Sequence, residues 1–203
     1  MPAWRPSQRL LHRIVGIVML LPLLGWAVTG LVFFVKPGYA GAYEQLAVKT
    51  YPLDANTPIQ TRAGWQEARV VKTIAGTHLL VRTDSGWQNL NPSSLQPAPV
   101  PPGDTLLRLF EDAFTANPRR YGRLTRLVDR TAHTATGIDV TLDWDRLTLQ
   151  QRGRDTDRID WLYRIHYLQW TGRKTLDKVI GLLGLVLLVT LTYLGARLAF
   201  RRS

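Results

Sequence analysis

The chain has 203 residues, a formal net charge of +11 and no cysteine. The lack of cysteine excludes disulfides, thiolate metal sites, cysteine-ligated iron–sulfur clusters and cysteine nucleophiles. A basic chain can bind nucleic acid, but much of this excess charge flanks two apolar runs. The sequence also lacks a helix-turn-helix pattern and zinc-ligand spacing, so we expect no nucleic-acid partner.

The first apolar run covers residues 14–35, roughly 22 residues without a charge, which is long enough for a helix to cross a bilayer. Pro22 lies near its middle and predicts a kink or a loosened turn. The alternative is a signal peptide cleaved near residues 40–42, but signal peptides have apolar cores of about 7–15 residues. We therefore interpret the run as a transmembrane helix.

A second uncharged run covers residues 179–196, and basic residues indicate how both runs are oriented. Three arginines precede the first run and only Lys36 follows it closely, which places the N-terminus in the cytoplasm. The basic residues around the second run are balanced. Two spans then predict a bacterial inner-membrane protein with both termini cytoplasmic and its central domain periplasmic.

The sequence predicts three segments. Residues 1–36 form a cytoplasmic tip and the first transmembrane helix, and residues 159–203 form an interfacial aromatic segment and the second one. Residues 37–158 form the periplasmic domain, which is long enough for its own core. That domain divides into a hairpin-rich part, a proline-rich linker and a part with a helix and strands, at residues 43–95, 92–102 and 104–151.

Local patterns predict an α+β fold for the periplasmic domain. Residues 68–74 and 77–83 form a hairpin across a Gly-containing turn, and residues 46–53 and 87–90 are further strands. Residues 104–116 form an amphipathic helix capped by Asp104. The strands that follow lie at residues 122–130, at residues 137–144 and around Leu147 and Leu149, and residues 54–64 are loop. One helix on one face of a small antiparallel sheet satisfies this pattern.

Two histidines flank the spans and are the candidate cofactor ligands. His12 precedes the first span and His166 precedes the second, and imidazole is a common haem-iron ligand. A span separates their depths by about 30 Å, so the two histidines of one subunit cannot share a haem. A homodimer could pair only His12 with His12 or His166 with His166. The alternative is that His12 is an interfacial basic residue and His166 a packing residue.

Other polar residues predict no catalytic or metal site. His78 and His133 have no carboxylate at ligand-like spacing, and no serine has a nucleophile-elbow context. An arginine run over residues 119–130 is either a solvent-facing strand edge or a surface for anions. Four residues beside the second span are predicted to lie at the membrane interface: Tyr163, Tyr167, Trp170 and Arg173.

Short motifs at both ends of the chain resemble those of a known family. They are Leu-His-Arg-Ile-Val-Gly at residues 11–16, Lys-Pro-Gly-Tyr at residues 36–39 and Arg-Ile-His-Tyr-Leu-Gln-Trp-Thr-Gly-Arg at residues 164–173. They resemble PepSY-associated transmembrane proteins, and residues 104–151 resemble the PepSY module itself. This resemblance implies an inner-membrane protein with a periplasmic PepSY-like domain. Larger relatives reduce ferric siderophores with haem held by membrane histidines, at positions like those of His12 and His166.

Two functions follow as expectations. The first is a non-enzymatic, membrane-anchored binding or regulatory module without a cofactor, which engages an unknown envelope protein and is linked to iron–siderophore uptake. Other PepSY modules restrain peptidases, which favours such a role, and the module would act in the bilayer as a homodimer or within a larger complex. The alternative is a small b-haem electron-transfer subunit for ferric-siderophore reduction, although two spans lack the extra helices that would complete a haem cage.

Overall fold

A computed structural model describes residues 7–54 and 61–200. The chain divides into two compact units. We call the central one, Ala40–Thr156, the lobe. We call the other, Met1–Tyr39 with Asp157–Ser203, the helical unit. This division confirms the coarse prediction of two terminal apolar helices around a central α+β domain with antiparallel sheet.

The helical unit contains two long apolar helices, α1 (Gln8–Val35) and α6 (Lys174–Ala199). Each is long and apolar enough to cross a membrane, with a mean hydropathy of 2.3 over its most apolar window. Only 11% of each window is buried. A core helix of a soluble protein would be mostly buried, so these surfaces suit lipid better than water. The helix continues through Pro22.

The two long helices are antiparallel neighbours whose contacts use small residues. A methyl group added at Gly16 would lie 3.7 Å from Leu191, and one added at Gly195 would lie 3.3 Å from His12. Met19 and Thr29 on α1 are each 1% exposed. Small residues let helix backbones approach closely, which is how helices associate in lipid.

Among its described residues, the lobe contains two antiparallel sheets. The first has the order β1-β2-β3 and the second has the order β4-β5-β6-β7. Their strands are β1 (Glu67–Thr73), β2 (Gly76–Thr83), β3 (Gly86–Leu90), β4 (Leu124–Val128), β5 (Thr131–Thr134), β6 (Asp139–Asp143) and β7 (Thr148–Arg152). The β1–β2 hairpin pairs Thr73 with Gly76, whose φ of 120° explains why glycine stands at that turn.

The main core forms where helix α3 (Gly103–Phe114) meets the second sheet. Phe110 on α3 and Val140 on β6 are both fully buried. The ring of Phe114 stacks on Tyr121, 5.1 Å between centroids. Tyr121 ends a short helix, α4 (Pro118–Tyr121), and two further helices are α2 (Tyr39–Ala42) and α5 (Arg154–His166). The predicted amphipathic helix therefore lies against the sheet, as its apolar stripe requires.

Three sequence predictions are corrected, and two elements were missed. The lobe has two sheets rather than one, and residues 46–53 form no strand, because Ala47 bridges β7 while Tyr51 bridges β1. A segment that touches two sheets in succession cannot build a ladder with either. Asp104 lies in the first turn of α3 and does not cap it, since Pro102 holds the cap position. Strand β5 and helix α5 were not predicted. Residues 55–60 of the predicted loop lie outside the described residues.

Candidate functional site

The helical unit places the end of α5 in a tight, strained turn. The amide of Gln169 donates to the carbonyl of Arg164 at 2.8 Å, and the amide of Leu168 donates to the carbonyl of Ile165 at 3.2 Å. This is the hydrogen-bond pattern of a Schellman cap, whose left-handed position usually holds glycine. Here Leu168 holds it with a φ of 55°. A branched side chain in this region costs roughly 1–2 kcal/mol, so packing must stabilise the turn.

Contacts with α6 supply that stabilisation. Leu168 is 3% exposed, and a methyl group added at Gly184 would lie only 2.6 Å from its Cδ1 atom. Asp177, in the first turns of α6, accepts hydrogen bonds from the amide and the hydroxyl of Thr171 at 2.9 and 2.7 Å. The turn after α5 is therefore fixed to α6 at two places.

The fixed turn holds the ring of His166 in one orientation against α1. The Nδ1 atom of His166 lies 2.8 Å from the hydroxyl of Thr29. That hydroxyl has one proton, and it donates it to the carbonyl of Gly25 at 2.6 Å. Thr29 therefore accepts from Nδ1, and a neutral ring keeps its lone pair at Nε2.

The rest of His166 is held by aromatic side chains. The indole nitrogen of Trp26 donates to the His166 carbonyl at 2.6 Å. Phe33 meets the imidazole edge-on at 5.2 Å between centroids and stacks on Tyr163 at 4.7 Å. Tyr163 in turn stacks on Tyr167 at 6.1 Å. These contacts join α1 and α5 around one histidine.

A largely apolar cavity of about 450 Å³ lies beside this histidine. We call it the His166 cavity. At a helical rise of 1.5 Å per residue, Gly181 and Leu188 on its α6 wall lie about 10 and 21 Å from the start of that helix. The cavity is therefore at the depth of the apolar spans. Its lining residues are Trp26, His166, Tyr167, Leu168, Gly181, Leu185 and Leu188.

The structure separates the residues that the sequence grouped together. His166, Tyr163 and Tyr167 form one cluster of ring contacts, whereas Trp170 and Arg173 lie in the segment between α5 and α6. His12 packs against Gly195 instead, and its buried Nδ1 has no hydrogen-bond partner among the described residues. Seventeen residues of α1 separate His12 from Thr29, about 25 Å.

The His166 cavity does not fit a b-type haem with two histidine ligands held by one chain. Its lining includes one imidazole, and His12 is too far away to supply the second. A haem also carries two propionates, whereas the described lining residues include no cation to balance them. A haem shared between His166 residues of two copies stays a prediction.

Trp26 and Thr29 are parts of this site that the sequence analysis missed. They are the two hydrogen-bonding side chains within the first apolar run, and they lie three residues apart on one helix face. Polar groups in a membrane span usually face a protein partner, which is the signal that would have identified them. Their partner His166 is 140 residues from Trp26 and 137 from Thr29, so sequence alone does not name it.

The lobe has a charged cluster around Arg120. This guanidinium donates to Asp155 and to Gln151, each at 2.8 Å, and it lies 3.9 Å from Glu44. Burial works against its charge, but the bond to Asp155 more than offsets this and raises the pKa of Arg120. Burial also opposes the charge of Asp155, but Arg120 lowers the pKa of that carboxyl. The cluster is an internal ion pair that secures α4 to the segment after β7.

The lobe also has a groove of about 630 Å³ along strand β7, which we call the β7 groove. Strand β7 is the edge of the second sheet, and one isolated bridge joins its outer side to Ala47. Farther along β7, the side chain of Gln151 donates hydrogen bonds to the carbonyls of Gly41 and Glu44. These bonds hold the segment that comes just before Ala47 in the chain. The groove is lined by residues 42–47, by residues 147–151 and by Thr156.

Comparison with protein-family models, curated proteins and solved structures gave no match to this chain.

Proposed function

We propose that this chain is a non-enzymatic, membrane-anchored binding module of the bacterial inner membrane. Helices α1 and α6 anchor it, and the periplasmic lobe engages an extended segment of a partner envelope protein in the β7 groove. The observation that supports this most is the edge position of β7, whose outer side is only partly covered. Such an edge presents backbone N–H and C=O groups that an extended peptide can pair with.

The alternating exposure along β7 suits recognition of a peptide strand. Thr148, Gln150 and Arg152 are exposed, while Leu149 and Gln151, which alternate with them, are half-buried. A bound strand would pair with the backbone and place alternate side chains against two different surfaces. Backbone pairing would supply affinity, and the groove walls would supply selectivity.

A photo-crosslinking amino acid at Gln150 tests this function in the full-length protein in cells. We expect an adduct with a defined envelope protein from Gln150. The matched control is Arg126, which is exposed on β4, the opposite edge strand of the same sheet. Equal labelling from both positions, or no adduct from Gln150 in correctly inserted protein, would count against the groove as the binding surface.

The PepSY-like character of the lobe and the link to iron–siderophore uptake are the finer parts of the proposal. They are supported by the resemblance of residues 11–16, 36–39 and 164–173. The identity of the crosslinked protein tests them. A peptidase or a component of siderophore uptake would support them, and a second copy of this chain would instead assign the groove to a homodimer interface.

A further inference from the structure

His166 in the cavity wall has an unused hydrogen-bond acceptor. The Thr29 hydroxyl accepts the hydrogen bond from Nδ1 of His166, and the indole N–H of Trp26 donates to the His166 carbonyl. No contact within the described residues engages Nε2, so in the neutral ring its lone pair remains to accept a hydrogen bond. A ligand that pairs with Nε2 of a neutral His166 must therefore donate a hydrogen bond.

The depth and walls of the cavity restrict what that donor is. Four lining residues have no polar side-chain atom: Leu168, Gly181, Leu185 and Leu188. The cavity lies about 10–21 Å along α6, where a charged headgroup would be costly to desolvate. An ammonium headgroup from a phospholipid is therefore disfavoured, and a neutral hydroxyl on an apolar body is favoured.

The two aromatic lining residues favour a ring as that apolar body. Trp26 and Tyr167 contribute an indole and a phenol ring to the walls, and aromatic rings pack well against one another in apolar surroundings. The volume of about 450 Å³ is within the usual range for a small-molecule pocket. Leu185 and Leu188 extend the cavity along α6, which suits a ligand with an attached hydrocarbon chain.

We infer that the His166 cavity binds a membrane-soluble hydroquinone, whose hydroxyl donates a hydrogen bond to Nε2 of His166. This inference concerns the helical unit and is independent of the binding function proposed for the lobe. It assigns a binding site and no electron-transfer step. A haem iron bound to Nε2 of His166 would compete with the hydroquinone for the same lone pair.

The test uses the full chain in lipid nanodiscs, titrated calorimetrically with decylubiquinol under anaerobic conditions, with empty nanodiscs as the reference. The dimethyl ether of the same compound keeps the ring and the chain but lacks the donor. We expect the ether to bind about 5- to 10-fold more weakly, since one hydrogen bond is lost in an apolar site. In His166→Phe protein that difference should disappear.

Two glycine variants separate the cavity from general binding to the helices. A methyl group at Gly181 would lie 3.6 Å from the Tyr167 carbonyl, an ordinary contact, so Gly181→Leu should fill the cavity and abolish binding of both compounds. Gly30 has open space around it, so Gly30→Leu should leave binding unchanged. If Gly181→Leu does not fold, the comparison of quinol and ether on the unmodified chain still decides.

Three results would overturn the inference. They are equal binding of quinol and ether to the unmodified chain, no binding above that of empty nanodiscs, and a haem absorbance band that is lost in His166→Phe protein. The last result would assign the cavity to a haem, shared between two copies or held by one histidine.

Discussion

Arg119 and Arg120 are sequence neighbours with opposite surroundings. The Arg120 side chain is 12% exposed and bonded to Asp155, whereas Arg119 is an exposed residue on the same short helix. Removing one partner of a largely buried pair leaves the other partner desolvated and unpaired. The same change at an exposed arginine leaves no buried partner unpaired and removes little stabilising interaction.

This difference in surroundings predicts that replacing Arg120 and replacing Arg119 by leucine lower the free energy of unfolding by unequal amounts. We expect Arg120→Leu to lower the free energy of unfolding of the lobe by about 2–3 kcal/mol. We expect Arg119→Leu to change it by less than about 0.5 kcal/mol. Hydrogen exchange of the β6 and β7 amides in the full chain measures both. Similar protection in the two variants would show that the Arg120 cluster does not stabilise the lobe.

His78 is a buried histidine whose surroundings predict that the lobe loses stability in acid. It is 5% exposed on β2, its Nε2 atom lies 3.1 Å from the Thr73 hydroxyl, and its ring meets Trp144 edge-on. Burial lowers the pKa of His78 below its ordinary value of 6.5. Below that pH the unfolded chain binds more protons at this position than the folded one, so the stability of the fold falls.

The expected result is weaker protection of the β2 and β3 amides at pH 5.5 than at pH 7.5, after correction for intrinsic exchange. His78→Gln should reduce this difference, since the titrating group is gone. His133→Gln is the matched control, because His133 lies on the exposed side of β5 beside Asp139. Loss of the difference in both variants, or in neither, would assign the acid sensitivity to other groups.

At the scale of elements, the packing of α6 on the turn after α5 depends on Gly184 and Leu168. The added methyl of Gly184→Ala would lie 2.6 Å from the Cδ1 atom of the buried Leu168, so the Leu168 side chain or the helix must shift. Overpacking of this kind typically costs about 1–3 kcal/mol. We expect Gly184→Ala to lower the thermal midpoint of the full chain in detergent.

The second-site change Leu168→Ala distinguishes this contact from a general effect of alanine on α6. In the Gly184→Ala background it removes the obstructing atoms, so the two changes together should cost less than the sum of their separate costs. Gly30→Ala, which has nothing within 4 Å, should leave the midpoint unchanged. Strict additivity of the two changes would contradict the contact.

The elements that the sequence predicted are those with a local pattern. The apolar runs, the β1–β2 hairpin and the amphipathic stripe of α3 each contain their own signal within a short window. Strand β5 has only four residues, Thr-Ala-His-Thr, which is too short to show a period. Residues 46–53 have an apolar composition, but their two bridges join different sheets.

The candidate site was predicted only in part, for a related reason. His166, Tyr163 and Tyr167 are close in the chain, so the sequence alone places them together beside the second span. The residues that orient His166 lie on α1, 137 residues away in the case of Thr29. No local pattern encodes such a pairing, and the left-handed backbone at Leu168 is also invisible where the sequence lacks a glycine.

At the scale of the whole molecule, the proposed function and the proposed ligand site both require that α1 and α6 cross the membrane. The lobe would then lie outside the cytoplasm while both termini lie inside. The two helices have the length and hydropathy that this requires. The basic residues before the first run supply the orientation.

The absence of cysteine from the chain makes this arrangement directly measurable. Single-cysteine variants Glu111→Cys, at an exposed position on α3, and Ser203→Cys, at the C-terminus, are labelled with a membrane-impermeant maleimide. In intact cells with a permeable outer membrane we predict labelling at position 111 and none at position 203 until the cells are lysed. Labelling at position 203 in intact cells, or protection at position 111, would contradict the account.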